Sequence, residues 1–423
     1  MNQELMRIVD GMAREKNIER ESIILDLEAA MASAARKHFG TVEGVEVRID
    51  RETGDILAFI EGEQIDIRKL GRIPAQTAKQ VMIQKLREDE RDSIFTEYQD
   101  RVGEVVTGTV SRFESGTTIV GLGRAEAILP RSEQIPGESH HPGERVRAMI
   151  MEVKEAPGQV KIILTRTHPD FILRLFEQEV PEITEKVIEI RALSREAGYR
   201  SKVAVTSTDT KVDAVGACVG VRGSRIKNIV DELGGEKIDI VRWNESSQIL
   251  IGNSLRPAEV REIALCFELN RATVVVAEDQ LSLAIGKRGQ NVRLAARLTN
   301  WDIDILTPKE YNETMEKLMQ TLREVPEVDD TMIEKVLALG IVSVLDMEEV
   351  GTEPLVSSLE LDSDLAHAMV TKAVEAAHEQ ATTKESASAA QAVLASELGM
   401  DEEVAEPREE AEEDVPEEKE GEG

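Results

Sequence analysis

The sequence predicts a multidomain α+β protein. Its expected parts are an α/β N-terminal module, a small β-barrel, two tandem α+β modules, a small helical domain and a disordered acidic tail. Three observations lead there. The chain has 423 residues, 41% of them hydrophobic, enough for several separate cores. Its hydrophobic period switches repeatedly between the 3.6 of helices and the 2 of strands. A strand, helix, glycine loop, helix, strand pattern occurs twice in the middle, with the two loops 66 positions apart.

Charge divides the chain in the same way. The formal net charge of −31, taken as one number, argues against a nucleic-acid ligand, because phosphates need cations. Resolved by segment, residues 1–100 carry −6, 101–168 carry +1, 169–180 carry −2, 181–307 carry 0, 308–384 carry −11 and 385–423 carry −13. The acidity is mainly C-terminal, and the middle stays open to RNA. Two cysteines, Cys218 and Cys266, provide no disulfide framework and suit a reducing compartment. The start Met1-Asn2-Gln3-Glu4 has no basic region, and no apolar run approaches the ~18 residues of a membrane span. A soluble, cytoplasmic protein is expected.

Residues 1–100 begin helically. Leu5, Ile8, Val9 and Met12 form one apolar stripe; Ile23, Ile24, Leu27, Met31 and Ala34 form a second that ends at Gly40. Val45, Val47 and Ile49 then alternate. The turn Glu52-Thr53-Gly54-Asp55 leads into Ile56–Ile60, and together these read as a hairpin. From Pro74 to about Tyr98 the helical period returns. Residues 101–168 carry five short strands, Val105–Val110, Thr117–Leu122, Ala125–Leu129, Arg145–Val153 and Val160–Thr165, the pattern of an OB-fold barrel. Only Phe113 offers a ring on the face such barrels turn to RNA, so its nucleic-acid role is expected to be auxiliary at most.

The repeat occupies two modules, 169–245 and 246–307. The first has strand-like Val187–Ala192 and Lys202–Ser207, the loop Gly220-Val221-Arg222-Gly223, a helix to about Leu233 and the strand Ile238–Val241. The second has Val260–Phe267 and Ala272–Val276, the loop Gly286-Lys287-Arg288-Gly289, a helix to about Leu298 and Ile303–Leu306. Two helices joined by Gly-x-x-Gly form the cradle of a KH domain, and two strands ahead of the loop fit its type II arrangement. Glycine lets the backbone approach a sugar-phosphate chain, and the following helix points its free N–H groups at phosphate. Arg222, Lys287 and Arg288 supply charge within the loops. Arg225, Lys227, Arg293 and Arg297 extend the positive edge, and Gln290 and Asn291 offer amides to base edges. One such loop is weak evidence; two charged copies in the same context are strong.

From 308 to 384 Met332, Val336, Leu337, Ile341, Val344, Leu345, Val350, Leu355 and Met369 supply a core for four or five short helices, of helix-hairpin-helix kind, interrupted by Gly340 and Gly351. Residues 385–423 hold 15 acids against 2 bases and no aromatic residue, too little apolar surface to fold. Together with 308–384 this segment makes residues 308–423 a region of −24, which is expected to compete with RNA for the cationic loops.

Other chemistries fail on spacing. Leu281 stands where a P-loop ending in Gly286-Lys287 needs glycine, and neither loop has a dinucleotide-binding pattern. The histidines share no metal-ligand spacing; His140 and His141, in a Pro/Gly loop, are expected to be solvated. No catalytic constellation, cofactor or metal is expected.

Beyond the fold pattern, particular residues resemble the NusA family of bacterial transcription elongation and termination factors. Gly71-Arg72-Ile73-Pro74-Ala75-Gln76-Thr77-Ala78-Lys79-Gln80 looks like the family's entry to its long helix. Asp213–Gly223 and Gly289-Gln290-Asn291-Val292-Arg293-Leu294-Ala295 look like its two KH loops. The resemblance covers about residues 1–307. It implies a non-enzymatic monomer that binds the RNA polymerase core through its N-terminal domain and nascent single-stranded RNA through the barrel and KH pair. The implied effects are promotion of pausing, termination, and antitermination with other factors. Two alternatives stay open at this point: an RNA-decay component, since polynucleotide phosphorylase also joins KH and OB modules, and a translation factor on ribosomal RNA.

Overall fold

The computed structural model describes residues 6–7, 9–11, 13–14, 19–39, 44–60, 62–65, 72–156, 159–359 and 361–379. The acidic segment 385–423 lies outside the described residues, as do Leu5, Ile8, Met12, Gly40 and Gly71. The chain divides into two compact units. One runs to Arg256 and includes Gly289–Thr299; the other holds Pro257–Arg288 and the chain from Asn300 onward.

In the first unit, helix α1 (Arg20–Phe39) buries Ile23, Ile24 and Leu27 with Met6, Val9 and Ile49. Strands β1 (Val45–Ile49) and β2 (Ile56–Ile60) pair antiparallel as the expected hairpin, Val45 opposite Ile60, and β3 (Glu63–Ile65) adds to β2. The turn closes on Asp50, whose carboxylate accepts the Glu52 and Thr53 amides at 2.9 and 2.7 Å. Arg51 fastens the turn to α1 through Glu21 at 2.7 Å and through Glu28. Helix α2 (Arg72–Gln99) ends on the barrel. Ile94, Phe95 and Tyr98 join the barrel core, and the Tyr98 hydroxyl donates to the Leu122 carbonyl at 3.0 Å.

Strands β4 (Val105–Glu114), β5 (Thr117–Leu122), β6 (Ala125–Leu129), β7 (Arg145–Ala156) and β8 (Gln159–Thr165) close a five-stranded barrel in the order β4-β5-β6-β8-β7. Only β6 and β8 run parallel. Alternation puts Val106, Val110, Val120, Ala127, Ala148, Ile150, Ile162 and Leu164 inside. Bulges beyond Val110 and Ile150 supply curvature. The loop before β7 departs from expectation: the His141 side chain is 82% exposed, but that of His140 is only 6% exposed, packed beside Glu138 and Glu144. Glu138 is held there by Arg166. That guanidinium is buried and also meets Glu232, at 2.5 and 2.9 Å respectively, so the loop folds inward over His140.

Helix α3 (Pro169–Glu179) carries Phe171, Ile172, Leu175 and Phe176 into the core of the first repeat. That repeat comprises β9 (Ile188–Glu196), β10 (Arg200–Ser207), α4 (Ala214–Val219), α5 (Ser224–Glu232) and β11 (Lys237–Arg242). The sheet order is β11-β10-β9, with β9 antiparallel and β11 parallel to β10, and α4 and α5 cover one face through Cys218, Ile229 and Leu233. Burial pushes the Cys218 thiol up to about 11, so it is an inert core filler. Helix α6 (Ser247–Ser254) follows, and then the second repeat: β12 (Val260–Cys266), β13 (Arg271–Val276), α7 (Glu278–Ile285), α8 (Gln290–Thr299) and β14 (Asp302–Leu306). Its sheet has the matching order β12-β13-β14 and the same strand directions. Within the first unit, Leu250 of α6 and Leu298 of α8 cover the other face of the first sheet at Ala204 and Val241.

In the second unit β14 leads through a Thr307–Glu310 capping box into α9 (Pro308–Arg323). There follow α10 (Asp330–Ala338), α11 (Val344–Val350), α12 (Thr352–Leu359) and α13 (363–379). Val336, Ile341, Val344, Met347, Leu355 and Met369 are buried, but Leu345 is 52% exposed. Val344, Met347 and Val350 take the inward face of this short helix, which turns Leu345 outward. Among the described residues no helix is long and apolar enough to cross a membrane.

Candidate nucleic-acid interface

Each glycine loop is a break between two short helices. Helix α4 is capped by Asp213, whose carboxylate accepts the Gly216 amide at 3.0 Å, and stops at Gly220 with φ 76° and ψ 175°. Arg222 then sits at φ 53° and ψ 27° and Gly223 at φ 76°, and α5 begins. In the second loop Gly286 has φ 75° and ψ 173°, Arg288 φ 55° and ψ 32°, and Gly289 φ 72°. The two stretches differ at the first middle residue, Val221 against Lys287, yet adopt one backbone, with the shared arginine held left-handed in each. The glycines have distinct reasons. At Gly220 a Cβ would come within 2.8 Å of the Arg225 side chain. At Gly289 nothing lies within 4 Å of that position, so the left-handed φ is what favours glycine there and the surface stays open to an incoming backbone.

The side chains sort into two groups. Val221, Arg222, Lys227, Lys287 and Arg288 are exposed, and among the described residues none of these four cations has a carboxylate partner. The others are committed internally. Arg225 donates to Glu182 at 3.0 Å and to the Ala217 carbonyl at 2.7 Å, which braces α4 and α5. Gln290 and Arg293 both donate to Glu196 at the end of β9, at 2.8 and 2.7 Å, and Arg297 lies 3.9 Å from the same carboxylate. Asn291 corrects the expectation of a base-reading amide: it is fully buried and donates to the Leu255 carbonyl at 3.0 Å. Its position on α8 faces inward beside Leu294 and Ala295 rather than outward with Arg293.

Glu196 is the residue that sequence reasoning missed. No local pattern marks it, because its partners lie 94 and 97 positions away. The hydrogen bond from Arg293 holds its carboxyl below the usual glutamate range, against a smaller opposing effect of burial. A depressed folded-state pKa contributes stability that is present at neutral pH and is lost as pH falls through that pKa. Glu196→Gln should therefore abolish this acid sensitivity. It should also loosen α8 on β9, read as faster amide exchange in 290–299 at neutral pH; unchanged exchange would leave the clasp without weight.

On the barrel, Phe113 is 47% exposed at the end of β4, while the neighbouring Arg112 is held by Glu126 and Glu114 at 2.7 and 2.6 Å. This gives one exposed ring whose neighbouring arginine is paired, a modest face for single strands.

Family models match along most of the chain. The NusA N-terminal domain matches residues 4–65 and 59–92, the S1 RNA binding domain 99–164, the NusA-like first KH domain 166–243 and the NusA-like second KH domain 247–313. The chain is 41% identical over 345 residues to the transcription termination/antitermination protein NusA of Halalkalibacterium halodurans, covering 74% of this chain and 90% of that one. It is equally identical to the Bacillus subtilis protein of the same name, over 74% and 93% of the two chains. The solution structure of the N-terminal domain of NusA from B. subtilis is similar at 32% identity, covering 22% of this chain and 99% of that one, with a TM-score of 0.18.

Proposed function

Because the chain belongs to the NusA family of transcription termination/antitermination proteins, non-enzymatic factors with RNA-binding S1 and KH domains, we propose that it binds the RNA polymerase core and nascent single-stranded RNA together. In this reading it promotes pausing and takes part in termination and in antitermination with other factors, as a cytoplasmic monomer. The observation that carries the RNA half is the pair of glycine loops with matching dihedrals and exposed Arg222, Lys287 and Arg288, which have no carboxylate partner among the described residues. RNA is held there by backbone approach and phosphate contacts rather than by stacking, which suits a chain with 3% aromatic residues.

The polymerase half rests on family membership and on charge. Residues 1–100 carry −6, so RNA is a poor ligand for them. The structure decides where the test cuts. Ile94, Phe95 and Tyr98 belong to the barrel core, so a truncated chain should begin at residue 90 to spare the barrel. That chain is expected to bind RNA within a few-fold of full length and to lose pause enhancement in a transcription assay; prolonged pauses at equal concentration would place the anchor elsewhere. The polyanionic segment 385–423 would temper the RNA site by occupying the loop cations, an effect that fades as salt screens it.

A further inference from the structure

The two KH repeats solve the same packing problem with different neighbours. Registering Arg200 opposite Lys237 and Arg271 opposite Asp302 makes Ala204 and Val275 equivalent, and Ala204 lies on the sheet face turned away from α4 and α5. In the first repeat that face is closed by Leu250 and Leu298. In the second it is closed by the C-terminal helical domain: Val275 packs with Tyr311 and Val342, and Cys266 is buried among Leu318, Val336 and Ile341.

The joint is specific as well as apolar. Between α10 and α11 the chain turns at Gly340, with φ 81°, and a Cβ there would overlap the Leu265 carbonyl of β12. The hairpin is pressed against the strand backbone at the residue whose backbone groups a helix-hairpin-helix would otherwise offer to a ligand. Six residues on, Asp346 ties hairpin to sheet. Buried, it accepts the Val342 amide at 3.3 Å and Arg271 of β13 at 3.0 Å. Arg271 also reaches Glu349 at 2.8 Å and lies 3.5 and 3.6 Å from Asp302 and Asp304, so it is the shared cation of a carboxylate ring drawn from both modules.

We infer that residues 308–379 act as a fixed cap on the second KH sheet, with the Gly340 hairpin used for protein contact and withheld from nucleic acid. A terminal unit that covers the last exposed apolar face is the role of capping repeats in stacked proteins. The cap is part of the second KH fold rather than a mobile arm, and a chain cut at Thr307 would expose Ala264, Val275 and Leu306 to water.

The test uses full-length protein with Gly340→Ala, and independently with Asp346→Asn, read by amide exchange and limited proteolysis. If the cap is fixed, each substitution should raise exchange in β12 and β13 at least tenfold and open a cleavage site near Thr307, while β9 and β10 stay protected. Exchange as in wild type in both variants would overturn the cap. A single-stranded RNA that saturates the KH loops should leave exchange at 339–343 unchanged; added protection there would overturn the withheld hairpin. Should Gly340→Ala not fold, Asp346→Asn, which adds no heavy atom to the interface, carries the same readouts.

Discussion

Replacing Lys287 and Arg288 together by aspartate is expected to lower affinity for single-stranded RNA about a hundredfold, on the basis of about 1.5 kcal/mol per charged hydrogen bond lost. Both side chains are exposed and have no carboxylate partner among the described residues, so the fold should survive their reversal. The salt dependence is the sharper readout. Each phosphate contact on a single strand contributes about 0.7 to the slope of log affinity against log salt, so the slope should shrink by roughly 1 to 2. Arg222→Asp alone should give about half that change, since the first loop has one cation where the second has two. Arg225 makes a useful contrast. Its guanidinium braces Glu182 and the Ala217 carbonyl, so Arg225→Gln should cost stability first and RNA affinity only through a loosened α4–α5 joint. A salt slope that stays at the wild-type value in a folded Lys287/Arg288 variant would remove the second loop from the interface.

This separation between free and committed cations marks how far the sequence could be read. Periodicity located the hairpin, the five barrel strands and both glycine loops to within a few residues, because each is encoded over a short span by alternation or by glycine at a left-handed φ. It placed Arg222, Lys287 and Arg288 correctly on the surface for the same local reason. It could not tell Arg293 from Lys287. Both are cations near a loop, and only the fold brings Glu196 to one of them. Asn291 was misassigned because one step of 100° along α8 separates the buried face from the exposed one, and polar residues on short helices blur that boundary. His140 went inward for a reason of the same kind: Arg166 gathers Glu138 and Glu232 around a buried guanidinium, a pairing across 28 and 66 positions that no window of sequence contains.

The largest loss of stability is expected at Asp239. Its counterpart in the second repeat, Asp304, shares the Ile-Asp-Ile context and faces Arg271 as Asp239 faces Arg200, yet the two positions differ in what they hold. Opposite Asp239, at 2.9 Å, is the Nζ of Lys202, a side chain with 0% exposure, whereas the aligned residue in the second repeat is Thr273. Burial lowers the lysine's pKa, and Asp239 is the largest influence that raises it back. Asp239→Asn would leave a buried ammonium facing Arg200 without a compensating charge. Breaking such a pair costs about 3 to 5 kcal/mol, to be read nearer the lower end because the Asp239 side chain is 30% exposed and Lys202 can release its proton. Asp304→Asn should instead change stability little, since Arg271 keeps Asp346 and Glu349. Denaturant unfolding of the two variants side by side makes the comparison. The double variant Lys202→Met with Asp239→Asn should recover most of the loss, because it removes the stranded charge rather than the contact. If Asp239→Asn unfolds at the same denaturant concentration as Asp304→Asn, Lys202 is hydrated in solution and the pair does not hold the first sheet together.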